Sequence, residues 1–200
     1  AHVPVGMGQS LLDGDVREGI LVAFAERTAR RGQNDPANAC RIFPLQALTA
    51  VGMAIANLTG LEYCPMLEQL DLHDNAVADL APIAGLSGLR SVNLSSNQIA
   101  DIEALAGMTQ LQQLFLDDNQ ISDIGPVAGA LDLQFFSCTN NTIVSIDAIS
   151  GMNRLIWLAL SGNAVIDLTP LGGKNYLSYL FLSNNQISDI GVLAGLTGLT

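Results

Sequence analysis

Asparagine returns at one constant interval along the chain, at Asn75, Asn97, Asn119, Asn141, Asn163 and Asn185. No other feature of the chain constrains its folding as strongly. Ahead of each asparagine lies one apolar frame, L-x-x-L-x-L. It is Leu67, Leu70, Leu72 in the first unit, Leu133, Phe136, Cys138 in the fourth and Leu177, Leu180, Leu182 in the sixth. Behind each come two aliphatics, such as Ile99 and Ile102, and a glycine keeps the same period from Gly85 to Gly195. Self-similarity at such a period marks a chain built of small units that cannot bury their apolar faces alone and must stack.

The frame predicts the local structure of each unit. L-x-x-L-x-L ends in period-two alternation, which predicts a short strand with leucines inward and the intervening residues outward. Parallel stacking gives every strand a ladder partner and joins the leucines into one core. The asparagine falls where the chain leaves the strand, and its amide both donates and accepts, so it can satisfy backbone groups freed in that turn. Asn184, outside the column, is expected to be replaceable without effect. Each following stretch, such as Asp101 to Gly107, is too short for a long helix and suits a turn or a single 3₁₀ coil. Pro82, Pro126 and Pro170 stand three positions after the recurring aspartate, where a helix start tolerates a fixed φ and a missing N–H.

These motifs resemble the 22-residue leucine-rich repeat of the internalin type, common in bacterial surface proteins. The likeness is close over residues 67–200. The organisation it implies is an N-terminal helical cap over 1–44 and a degenerate first repeat over 45–66, where Met53 replaces the asparagine. Six full repeats then occupy 67–198, and 199–200 open a further, truncated one, so that the protein is expected to continue past Thr200. The implied fold is an α/β solenoid, a horseshoe with a parallel β-sheet on its concave face and short 3₁₀ or coil segments on the convex side. The resemblance implies an extracellular or cell-surface setting.

Charge narrows the function. Eight basic and nineteen acidic residues leave a net charge of −11. Residues 1–44 are neutral, with five of each sign, so the whole excess belongs to the repeats. Nucleic acid and anionic membrane surfaces both call for a basic patch, which this balance opposes. No apolar run approaches the ~18 residues of a spanning helix, which argues against membrane insertion.

Candidate chemistry is thin. The aspartates at 79, 101, 123, 167 and 189, with Ser145 breaking the series, are expected to cap the coils that follow them rather than to stack calcium. His2 and His73 show no metal-ligand spacing to cysteine. Cys64 and Cys138 occupy core columns and are expected to be buried small hydrophobes, with a Cys40–Cys64 disulfide as the alternative for the first. No catalytic triad can be placed, and neither an enzyme nor a cofactor is expected.

The outward strand positions hold the remaining signal. Five of the ten aromatic residues, Phe115, Phe135, Trp157, Tyr179 and Phe181, fall on eighteen such positions. The first two full repeats place only Gln, Asp, His, Ser and Asn there. A face split into polar and aromatic halves suggests an interface, since Trp and Tyr are the residues that anchor them. Phe115, Phe135, Trp157, Tyr179 and Phe181, with Gln113 and Asp117, are therefore the candidate partner-binding residues. The six column asparagines are structural. The expected function is a non-catalytic module that recognises a protein or glycan through its concave face. The alternatives are a spacer or adhesin stalk, or the recognition arm of a larger protein.

Overall fold

A computed structural model describes residues 45–199. The cap expected over 1–44 lies outside the described residues, as does Cys40. Seven strands appear among the described residues: β1 (Ala47–Thr49), β2 (Gln69–Asp71), β3 (Ser91–Asn93), β4 (Gln113–Phe115), β5 (Phe135–Ser137), β6 (Trp157–Ala159) and β7 (Tyr179–Phe181). They form one open parallel sheet in sequence order. Every pairing joins equivalent positions of successive repeats, as in Leu70 with Val92 and Phe136 with Leu158. The middle residue of each strand from β2 to β6 is buried, while its two neighbours face outward. That is the alternation the leucine frame predicts.

The returning side of each unit is a 3₁₀ turn, from Leu61–Tyr63 and Ala81–Ile83 through to Gly191–Gly195. Its start is fixed by the aspartate column. The carboxylates of Asp79, Asp101, Asp123 and Asp189 each accept the backbone N–H two residues on, at 2.7–2.8 Å. In the unit that lacks the aspartate, the Ser145 hydroxyl takes the same role toward Asp147 N–H at 3.1 Å. Asp167 accepts both the backbone N–H of Thr169 and its hydroxyl, and these bonds hold its carboxyl below the ordinary carboxylate range. Pro82, Pro126 and Pro170 all sit in the first turn of their 3₁₀ segments, as expected. Strands stack at about 4.8 Å, and the bulkier turns on the other side spread wider, so the sheet lines the concave side.

The asparagine column stitches each repeat to the one before it. Asn119 Oδ1 accepts Ile99 N–H at 3.0 Å, and Nδ2 donates to Leu94 O at 3.0 Å. Both of those partners belong to the preceding repeat, and a third bond goes to Leu116 O in its own strand exit at 3.1 Å. Asn75, Asn97, Asn141, Asn163 and Asn185 repeat the pattern, reaching back 20 residues to an N–H and 25 to a carbonyl.

The residue before each asparagine is held in the left-handed region. Asp74, Ser96, Asp118, Asn140 and Asn184 have φ between 53° and 57°, and Gly162 has φ 70°. A Cβ on Gly162 would clash only with the movable tip of the exposed Asn140 side chain, so it is the positive φ that glycine serves here. The expectation that Asn184 is freely replaceable is therefore corrected, because asparagine adopts this region at lower cost than alanine.

Two residues of one core column, Cys64 and Lys174, depart from the expected pattern. Cys64 is buried and disulfide-bonded, so the reading of it as a reduced hydrophobe gives way to a cross-link. Lys174 stands in the column of Leu86, Met108, Ala130 and Met152, and it is fully buried. Its ammonium donates to Ser150 O at 3.0 Å, and burial pushes its pKa down from the ordinary lysine value.

In urea unfolding, Asn119→Ala should cost about 1–3 kcal/mol by orphaning buried backbone groups of two repeats. Asn184→Ala should cost about 1 kcal/mol from backbone strain alone, while Asn184→Gly restores stability. Replacing Lys174 with Met removes a buried charge and should stabilise by about 1 kcal/mol or more. The unfolded chain holds the lysine proton more tightly, so the contribution of Lys174 to stability should rise as pH climbs through its lowered folded pKa toward 10.5. The Cys138 thiol, which ionises more readily in the unfolded chain, acts in the opposite direction in both proteins, so melts across alkaline pH should show the stability of wild type rising relative to that of Lys174→Met.

Candidate functional site

The outward positions of β4 to β7 bring the aromatic residues onto one surface. Ladder register places Phe135, Trp157 and Tyr179 in one column, and Phe115, Ser137, Ala159 and Phe181 in the next. Trp157 is the hub. Its ring centroid lies 5.2 Å from that of Tyr179 and 4.7 Å from that of Phe181, with interplanar angles of 38° and 41°. The contact with Phe181 is diagonal and passes over Ala159, which is why that small outward residue is only 8% exposed. Tyr179 and Phe181 remain 48% and 42% exposed. They sit on the last described strand, with a cross-strand neighbour on one side only.

The other candidates are placed less uniformly. Phe135 is half-buried beside Trp157 in the ladder. Phe115 is half-buried and is separated from Phe181 by the two strands that carry Ser137 and Ala159. The aromatic set is thus a three-ring cluster on β6 and β7 with two flanking phenylalanines. Gln113 is exposed and accepts the Ser91 hydroxyl at 3.3 Å. Asp117 is tied into the sheet, since its Oδ1 accepts the Ser137 hydroxyl at 2.5 Å and Thr139 N–H at 2.6 Å. Ser137 and Ala159 were not singled out by sequence. Their signal was present all the same, as two small residues between Phe115 and Phe181 in one column.

Toward β1 the same face is polar. Gln69, Asp71, Ser91, Asn93 and Gln113 line a shallow depression that ends at Phe115. Of these residues Asp71 is paired with His73, whose Nδ1 lies 2.8 Å from Asp71 Oδ1. Among the described residues no cluster of three or more His, Cys, Asp or Glu is placed to hold a metal ion, and no helix is long and apolar enough to cross a membrane. Cys138, a free thiol in the core beneath this face, is fully buried. Burial, reinforced by the Asp117 charge, pushes its pKa far above the ordinary thiol range.

Comparison with known proteins agrees with this architecture. Models of leucine-rich repeats match residues 65–107, 87–129 and 173–194. The chain is also similar to the crystal structure of internalin C2 from Listeria monocytogenes, at 33% identity with a TM-score of 0.67, over 77% of this chain and 78% of that one. It belongs to the internalin-like leucine-rich-repeat proteins of bacteria. A leucine-rich-repeat protein of Leptospira interrogans shares the fold at 21% identity and a TM-score of 0.56, covering 72% of this chain and 44% of that one. No protein of curated function matches the sequence.

The state of Cys138 is open to a direct check. It should resist a thiol reagent in the native protein at pH 8 and react fully once the chain is unfolded in denaturant. Rapid native labelling would contradict its place beneath the sheet.

Proposed function

We propose that this chain is a non-catalytic recognition module that binds a protein or glycan partner through its sheet face, at the cell surface or outside the cell. The observation that carries the reading is the cluster of Trp157, Tyr179 and Phe181, exposed in part on outward strand positions that contribute nothing to the core. Large aromatics left in water on an outward sheet face are costly unless a partner covers them. Phe115 and Phe135 extend the surface, and Gln113 and Asp117 form its polar border. The similarity to internalin C2 supports the surface setting. In this reading the working unit is the run of repeats over 67–198, preceded by the degenerate repeat 45–66 and covered by a helical cap over 1–44.

The test separates binding from folding. Trp157→Ala with Tyr179→Ala should abolish binding to the partner while moving the melting midpoint little. A central interface anchor commonly contributes about 2 kcal/mol or more, which is roughly a thirtyfold change in affinity. Phe136→Ala is the control. Phe136 is adjacent to Phe135 in sequence but fully buried, and its truncation should cost about 3–5 kcal/mol of stability. Candidate surface proteins and glycans are screened by calorimetry, with a thermal melt of each variant. Normal binding by the double variant would sink the proposal and leave the spacer role in its place.

A further inference from the structure

We infer that the partner seated on the aromatic cluster is a protein surface that presents arginine or lysine side chains. The inference rests on the binding reading above and names the chemistry of its partner. Three cations occur among the described residues, against fourteen carboxylates. Lys174 is buried, and the two exposed arginines each lie beside a carboxylate, Arg90 at 3.7 Å from Glu68 and Arg154 at 2.9 Å from Asp132. The outward strand positions carry no lysine or arginine, yet they include Asp71 and Asp117. Both hydrogen bonds to Asp117 converge on Oδ1. Its second oxygen therefore accepts no hydrogen bond among the described residues.

Ring geometry selects among the partners that such a field admits. A neutral sugar stacks on a flat ring with its pyranose face parallel to it. Here the planes of Tyr179 and Phe181 tilt 38° and 41° from that of Trp157, so the three rings make no single flat platform. A compact cationic head group needs only one accessible π face, and Trp is the strongest such partner. A second arginine of the partner adds a planar fork for Asp117, which stands on the same face two strands from Trp157. The acidic field then steers approach and excludes anionic partners.

Trp157 is the only tryptophan in the chain, so intrinsic fluorescence reads the cluster directly. The probes for the full chain are a blocked arginine–glycine peptide, the same peptide with glutamate for arginine, and chitohexaose as a neutral sugar. The arginine peptide should quench Trp157 saturably, and its affinity should fall about tenfold between about 50 and about 500 mM salt. Tyr179→Ala and Phe181→Ala should each weaken it about tenfold. Asp117→Asn, which keeps the Oδ1 acceptor for Ser137 and Thr139, should weaken it severalfold with an unchanged melt. Quenching by chitohexaose without quenching by the arginine peptide would overturn the cationic partner and leave recognition by the cluster standing. Equal quenching by the glutamate peptide would also overturn it. Binding of the arginine peptide in calorimetry, with Trp157 unperturbed and Tyr179→Ala silent, would overturn both this inference and the reading beneath it.

Discussion

A strand of three residues cannot stand alone, and its exit turn frees backbone donors and acceptors that its own unit cannot fully satisfy. The column asparagines resolve both problems with one side chain. Each carboxamide accepts an N–H and donates to a carbonyl of the previous repeat while also donating within its own turn, as Asn163 does with Ile143, Cys138 and Leu160. Hydrophobic stacking supplies most of the driving force but tolerates sliding of one repeat on the next. The amide bonds do not, because they fix the register at one full repeat. The uniform ladder, the buried leucine columns and the alignment of outward side chains all depend on that lock.

Function follows from the same lock. Outward residues one repeat apart stand about 4.8 Å from one another on neighbouring strands, so a sequence column becomes a physical row. Phe135, Trp157 and Tyr179 form such a row because Asn141, Asn163 and Asn185 hold their strands level. Phe181 joins them from the next column because Ala159 is small enough to let the indole lean across. A bulky residue at 159 would stand between Trp157 and Phe181 and separate the rings.

Much of this was legible in the sequence, because the repeat supplies six readings of each position. The strands, the 3₁₀ turns, the proline starts and the aspartate caps all followed from columns. What escaped was whatever breaks a column or depends on backbone conformation. Lys174 was hidden because its column mixes Leu, Met, Ala and Cys and gives no apolar signature strong enough to expose an intruder. Asn184 looked incidental because the left-handed column mixes Asp, Ser, Asn and Gly, residues whose shared property is tolerance of positive φ rather than common chemistry. Cys64 fitted a core column as well when cross-linked as when reduced. The aromatic candidates were visible as outward residues, but the diagonal contact between Trp157 and Phe181 depends on side-chain lean, which periodicity does not encode.

The constant reach of each carboxamide, 20 residues back to a donor and 25 back to an acceptor, makes the solenoid modular in a strict arithmetic sense. Removing or duplicating one whole repeat leaves every stitch intact, whereas losing a single residue within a repeat breaks the stitches on both sides of it. The distance between the polar end of the concave face and its aromatic end is therefore quantised, adjustable only in steps of one strand spacing. Recombination between repeats can lengthen or shorten the recognition surface like a ruler with fixed divisions, without redesigning the core beneath it.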